Sequence, residues 1–396
     1  MNPETNALMS YLDEHQADMT ELLRQFVEQP SCGREPEDAR RFAGWLQMFL
    51  ETEGMTCRQI EVGANAPTLS AIIGAEFPGK PILFCGHYDT ALYRRFLPDN
   101  PFRAEPDGTI HGVGVLDMKG GVVIAIFVLR ALRAAGLLQR PVKFLFSGDE
   151  EACHNSSHGG AVFQQEAAGC CAAFNMETGL PGNRLCVGRR GVCRFVVSVE
   201  GVEAHAGNDF TAGRSAIVEL AKKCLEISSL TQLENGTTVN VATISGGTIY
   251  AAVPKHAEAN VEIRFSNNRE LERVKRSVLE ICSRSHIDGC RTDIRFTELM
   301  HVYEEKPSGR ALLAYLNEAA SQLGQPQLSG VTLGGSSDAA YTVLAGVPTL
   351  CSCGAVGEWN HTVREYIEES SLLARCKLLA LAASHPEHLD AICEEA

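Results

Sequence analysis

Pro81-Ile82-Leu83-Phe84-Cys85-Gly86-His87-Tyr88-Asp89 is a short apolar run that meets a glycine and then presents an imidazole and a carboxylate. A second run of the same grammar, Pro141-Val142-Lys143-Phe144-Leu145-Phe146-Ser147-Gly148-Asp149-Glu150-Glu151, ends on acidic residues. Short apolar runs closed by glycine read as strands buried on both faces, as in a parallel sheet. In open α/β sheets, ligands and chemistry collect at the carboxyl ends of the strands. Packing gives no reason to place adjacent Glu150 and Glu151 at such an end.

The surrounding chain continues the pattern. Residues 68–75 and 172–176 are further strand candidates, and a long helix is expected after Lys119. Residues 5–29 and 36–53 read as amphipathic helices, the second opened by Pro36 in its first turn and carrying Phe42, Trp45, Leu46 and Phe49 on one face. Strands alternating with helices predict a mostly parallel, helix-covered sheet. From about residue 188 the grammar changes. Residues 193–199 and 257–265 alternate with period 2, and the element order reads strand, helix, strand, strand, helix, strand, the ferredoxin-like split βαβ order. The candidate metal ligands stop at Glu177 and resume at His361, so 188–299 is expected to be inserted into a catalytic domain made of 1–187 and 300–396. Hinges are expected near 185–190, where Gly188 and Gly191 lie, and near 298–302. Helices near 310–323 and from Glu368 onward would complete the outer domain.

Composition narrows the function classes. With 396 residues the chain exceeds the size at which single cores stop growing, and 45% hydrophobic residues suffice for two. A net charge of −14 argues against nucleic acid or an anionic membrane as partner, since both need basic surface. Met1–Ser10 is polar and no run approaches a membrane span, so a cytoplasmic protein is expected. The 15 cysteines are irregularly spaced without a C-x-x-C repeat, which favours reduced thiols packed as small apolar groups.

His87, Asp89, Asp117, Glu150, Glu151, Glu177 and His361 all fall at or just beyond expected strand ends or in glycine-punctuated loops. Any one of them alone could be an ordinary turn or cap residue. Together they suit two metal ions, each with an imidazole and a carboxylate, with another carboxylate shared between them. In His87-x-Asp89 the carboxylate can accept the other ring N–H and fix the tautomer. A bridged pair of ions matches displacement at a carbonyl or phosphoryl group.

The order His87-Tyr88-Asp89, Gly114-Val115-Leu116-Asp117-Met118-Lys119-Gly120-Gly121, Asp149-Glu150-Glu151, Met176-Glu177, Ala204-His205-Ala206-Gly207, Gly334-Gly335-Ser336-Ser337-Asp338-Ala339-Ala340 and Asn360-His361 resembles the M20 metallopeptidases. That family also contains aminoacylases, amidohydrolases and deacylases of N-acyl amino acids. Within it the chain is most similar to the glutamate carboxypeptidase group, although it has glutamate at Glu177, as many aminoacylases and deacylases of the family do, where the glutamate carboxypeptidases often carry aspartate. The resemblance implies a zinc-exopeptidase-like fold with an inserted lid and dimerisation domain. It also implies that His87, Asp117 and Glu177 hold one zinc while Asp117, Glu151 and His361 hold the other. Glu150 resembles the general base, which takes a proton from the attacking water and returns it to the leaving nitrogen. Asp89 resembles the residue that orients His87.

The inserted segment carries chemistry as well. The bland reading of His205 is a turn histidine; the resemblance implies an oxyanion donor that reaches the active site of a second copy of the chain. Arg264 and Asn240 would otherwise be exposed strand residues. By resemblance Arg264 clamps the substrate carboxylate and Asn240 donates nearby. Gly334, Gly335 and Ser336 form a glycine-rich turn that is neither a dinucleotide fingerprint nor a P-loop, and whose amides suit a carboxylate.

The expectation is therefore a cytoplasmic, homodimeric di-zinc hydrolase of N-acyl amino acids or small peptides with a free carboxylate. Cobalt or manganese would fit the same donors. The alternatives are a deacylase of the acetylornithine or succinyl-diaminopimelate type, or a metal-dependent binding protein without turnover. Intact Glu150 beside Glu151 argues against the last.

Overall fold

The computed structural model describes residues 3–395. The chain divides into two compact units. One takes in the residues up to Gly188, Glu305–Leu333 and those from Ser337 on; the other takes in Arg189–Glu304 with Gly334–Ser336.

The first unit is built on a six-stranded sheet. In spatial order its strands are Thr56–Ile60, Ala66–Ile73, Val142–Gly148, Ile82–His87, Ala172–Asn175 and Thr349–Leu350. The last four run parallel and the first two are antiparallel, so the sheet is mixed but mainly parallel. Ile82–His87 is buried at every position, as its unbroken apolar run requires. Gly120–Ala134 is apolar almost all round and correspondingly buried, and it packs with the helices Pro3–Glu14, Gln16–Val27 and Glu369–Ala383. Phe84, Phe144 and Phe174 pack across neighbouring strands in the same core, with ring centroids 5.6–6.0 Å apart.

Pro36–Thr52 forms with Pro36 in its first turn, but the single helix expected over 5–29 is two helices that part at His15. The His15 ring stacks on Tyr11, and its Nδ1 lies 2.7 Å from the Tyr11 carbonyl. That side chain competes for a carbonyl the helix ladder also uses, and the backbone leaves helical geometry there.

The second unit carries a four-stranded antiparallel sheet. Its spatial order is Thr238–Gly246, His256–Phe265, Gly191–Glu200, Arg291–Met300. With helices Ala216–Ser228 and Asn268–Ser283 between the strands in sequence, this is the ferredoxin-like βαββαβ topology. His256–Phe265 alternates buried and less buried positions along its length. Gly191–Glu200 alternates less cleanly, because Val196, on the face with Arg194 and Ser198, is also covered.

The cysteines are all free, most of them buried. No helix among the described residues is long and apolar enough to cross a membrane.

Candidate active site

Each metal-ligand candidate is delivered by a strand end or an adjoining loop of the first unit. His87 is the last residue of its strand and is preceded by Gly86 at φ +148°, where a Cβ would run into Met118 Sδ. Gly114, at φ +78°, turns the chain into Val115–Lys119, so that Asp117 arrives on irregular backbone just before the long buried helix. Glu150 and Glu151 follow the Val142–Gly148 strand, and Glu177 follows Ala172–Asn175. His361 sits at φ +62°, a backbone state that non-glycine residues adopt when the surrounding structure demands it.

These residues meet in two groups that share Asp117: His87, Asp117 and Glu177, and Asp117, Glu151 and His361. His87 Nε2 is 3.2 Å from Asp117 Oδ1 and 3.8 Å from Glu177 Oε1. His361 Nε2 is 3.1 Å from Asp117 Oδ2 and 3.2 Å from Glu151 Oε2. The two oxygens of one carboxylate thus face the two imidazoles, the geometry of a bridge.

Asp89 holds both groups. Its backbone carbonyl accepts from His87 Nδ1 at 3.0 Å, closer than its carboxylate Oδ1 at 3.4 Å. Its Oδ2 accepts the Glu151 backbone N–H at 3.0 Å. The orienting contact expected of the carboxylate is therefore made mainly by the main chain, and the carboxylate ties His87's loop to Glu151's.

The electrostatics suit cations. His87 Nε2, Asp117 Oδ1 and Glu151 Oε1 are buried atoms with no hydrogen-bond partner. Five carboxylates, Asp89, Asp117, Glu150, Glu151 and Glu177, are buried around the imidazoles of His87 and His361, an acidic cluster whose charge divalent ions would offset. Burial would lower the His87 pKa, but the Asp117 and Asp89 carboxylates hold it well above the ordinary value. Asp117 and Glu151 push His361 up to about 11. Burial is the largest influence on Glu150 and Glu151, raising both, with neighbouring carboxylates adding to it. Imidazole nitrogens and carboxylate oxygens in groups of three, sharing one oxygen-bearing residue, form a donor set suited to two divalent ions.

Three features lie outside the sequence-based list. Glu365 is buried and its carboxylate accepts the backbone N–H groups of Gly114, Leu116 and Asp117 at 2.8–2.9 Å. Burial, with the Asp117 charge nearby, raises its pKa to about 8 against the pull of those N–H groups. Asn360 donates to Asp117 Oδ2 at 2.9 Å, supporting the bridge from the loop that carries His361. Behind Glu150, the His154 ring joins Asp149 Oδ1 at 2.8 Å and Asp338 Oδ1 at 2.7 Å, and Ser147 donates to Asp338 Oδ2 at 2.5 Å. Asp149 and Asp338 stand in motifs visible in the sequence. Nothing around Glu365 in its loop marks it.

The remaining candidates lie on the second unit. His205 is exposed, and its Nδ1 accepts N–H groups from Gly207 at 3.1 Å and Asn208 at 3.0 Å. Its proton is thereby placed on Nε2, free to donate outward. Arg264 gives Nε to Glu262 at 2.8 Å and reaches the Gly334 carbonyl with Nη1 at 3.5 Å. Asn240 lies opposite Glu262 on the neighbouring strand, exposed, so Arg264, Asn240 and Gly334 share one patch. Arg189 donates to the Ser336 carbonyl at 3.2 Å, and Gly335 lies beside Arg189.

Known proteins resemble this chain over most of its length. Carboxypeptidase G2 of Pseudomonas sp. (strain RS-16) is 26% identical over 387 residues, covering 95% of this chain and 91% of that protein. A succinyl-diaminopimelate desuccinylase of Caulobacter sp. (strain K31) is 27% identical over 371 residues, covering 88% of this chain and 91% of that one. Among solved structures, an aminopeptidase from Bacillus cereus superposes with a TM-score of 0.77 at 20% identity, covering 93% of this chain and 98% of that one. A family M20 metallo-carboxypeptidase from Sulfolobus solfataricus gives 0.70 at 16% identity, covering 97% and 99%. The profile of peptidase family M20/M25/M40 matches residues 83–385, a span that takes in both three-residue groups and the segment between them. The chain belongs to this family and is a metal-dependent hydrolase of peptide or other carbon–nitrogen bonds.

Proposed function

We propose that this protein uses two zinc ions to hydrolyse the amide bond of N-acyl amino acids or small peptides that end in a free carboxylate. The observation that carries the reading is Asp117, whose two oxygens face His87 and His361 separately. His87, Asp117 and Glu177 would hold one ion, and Asp117, Glu151 and His361 the other. Two such ions supply Lewis acidity at the scissile carbonyl and lower the pKa of water toward about 7.

The chain's own groups do the rest. Glu150 is buried beside the cluster, and burial raises its pKa, as suits a base that must accept a proton from water and then return it to the leaving nitrogen. Asp89, Asn360 and Glu365 fix the donor atoms. His205, with its proton on Nε2, would donate to the developing oxyanion in the site of a second copy, which makes a homodimer the working form. Arg264 would clamp the substrate carboxylate, with Asn240 and the amides of Gly334, Gly335 and Ser336 alongside. That role requires Arg264 to give up its hydrogen bond to Glu262 or to share it. A cytoplasmic setting fits the abundant free thiols.

A second reading, an N-acyl amino acid deacylase, is favoured by Glu177 at the position the resemblance links to deacylases and by the similarity to desuccinylases. A product-release screen of the zinc-loaded protein separates the two, with glutamate and aspartate conjugates, dipeptides and N-acetyl and N-succinyl amino acids on the same plate. In the same assay Glu150→Gln should lose about 10²- to 10⁴-fold in kcat with its metal retained. Unchanged turnover in that variant would remove Glu150 from the mechanism.

A further inference from the structure

Apart from the metal centre, the first unit holds a cavity of about 230 Å³ that shares no lining residue with the cleft around Asp117, Glu151 and His361. One wall is a face of the Glu369–Ala383 helix: Ser370 and Ser371 in its first turn, then Ala374, Arg375 and Leu378. Positions three and four apart share a helix face, so these side chains line up. The opposite side is the turn Leu180–Asn183 with Pro326 and Leu328.

Arg375 is the unusual member. It is only 6% exposed, yet among the described residues its guanidinium has no hydrogen-bond or ion-pair partner. Among the described residues, the ionisable group that acts on it is the Cys353 thiol. Burial drives that thiol up to about 12 even with Arg375 nearby, so it stays neutral and supplies no counter-charge. A guanidinium does not give up its charge, and an uncompensated buried cation is expensive. The same cavity also receives the start of the helix, which lacks a side-chain cap; Glu368 and Glu369 stand there, and the Glu369 N–H is taken by the Gly108 carbonyl, which leaves the N–H groups of Ser370 and Ser371 without a cap. First-turn amides and the helix dipole favour an anion there. The buried cation therefore calls for one negative charge here, and the N–H groups of Ser370 and Ser371 on the same wall can donate to it.

We infer that this cavity binds a small organic carboxylate with an apolar tail, held by Arg375 and the first turn of the Glu369–Ala383 helix. The planar guanidinium matches a carboxylate in bidentate geometry. Leu180, Pro181, Val356, Leu328 and Leu378 offer the tail an apolar wall. One buried cation compensates one negative charge, and the exposed Glu368 at the rim disfavours polyanions. Amino-acid-sized acids fit the volume, which is below the range of drug-sized pockets.

Calorimetric titration of the zinc-loaded protein with isocaproate, isocaproamide and inorganic phosphate tests this. Isocaproate should bind with one site per chain in this cavity and raise the melting temperature as its concentration passes Kd. Arg375→Leu and Ala374→Phe should each weaken that site about tenfold or more, the second by filling the cavity from an exposed helix position while leaving the guanidinium in place. Ala374→Phe keeps the test open if Arg375→Leu fails to fold. Arg264→Ala should leave the site unchanged, which separates it from the proposed substrate clamp. Isocaproamide and phosphate should bind more weakly. The inference falls if isocaproate shows no saturable binding at millimolar concentration, if Ala374→Phe removes none of it, or if the amide binds as tightly as the acid.

Discussion

The Asp89 carboxylate accepts the backbone N–H of Glu151, joining the end of one parallel strand to the end of its neighbour across the candidate metal site. His87 and Glu151 belong to different three-residue groups, so this bond ties one group to the other in addition to the shared Asp117.

Asp89→Asn is expected to disturb both groups at once. If the amide nitrogen faces Glu151, a buried N–H loses its acceptor, which costs about 1–3 kcal/mol. If the oxygen faces Glu151, the amide turns a donor toward His87. Metal affinity should fall about 10- to 100-fold, as when outer partners of metal ligands are removed. Metal retention on dialysis, with kcat and KM after reloading, checks it; full retention would show that the Asp89 backbone carbonyl alone positions His87.

His361→Ala should leave His87, Asp117 and Glu177 intact and remove only the second group. Elemental analysis should then find metal content reduced by about half, with activity largely lost because the proposed chemistry would use both ions at the carbonyl. Undiminished metal content would show that His361 is not a ligand.

Glu365→Gln probes a carboxylate that receives three backbone N–H groups from the Asp117 loop. One of its oxygens serves Leu116 and Asp117 and the other serves Gly114, so an amide nitrogen at either place confronts a donor with a donor. A loss of about 1–3 kcal/mol of stability is expected, together with weaker metal binding at Asp117. Urea denaturation of the zinc-loaded and chelated forms reads both effects, and an unchanged midpoint in both would refute the role.

His154→Asn tests the buried Asp149–His154–Asp338 network. Burial would lower the His154 pKa, but Asp338 and Asp149 raise it well above the ordinary value. A raised imidazole contributes stability that is fully present below the unfolded value of about 6.5 and is lost as pH climbs through the folded value. The gap between wild type and variant should be about 3–5 kcal/mol at its widest, on the acid side of about pH 6.5, and narrow in alkali. A gap that does not change with pH would mean that the ring is neutral in the fold.

Much of this was legible in the chain because strand ends leave a local signature. An apolar run that stops at a glycine and continues with His87 or Glu150 and Glu151 can be read from a few neighbours, and the buried Gly120–Ala134 helix announces itself by being apolar all round. The break at His15 was not legible, since it turns on a ring reaching back to a carbonyl. Glu365 was hidden for another reason. Its partners lie about 250 residues earlier, and among Thr362, Val363, Arg364 and Tyr366 it looks like any solvated acidic residue.

The sequence by itself determined which groups could ligate metal and in what order they occur, because residue type and strand periodicity are local properties. Only the tertiary structure decided that Asp117 presents one oxygen to each imidazole, that Asp89 works through its main chain as well as its carboxylate, and that Arg375 is buried without an anion. Those outcomes depend on distances between segments far apart in the chain, and a distance of a few ångströms separates a bridge or a stranded charge from an ordinary polar side chain.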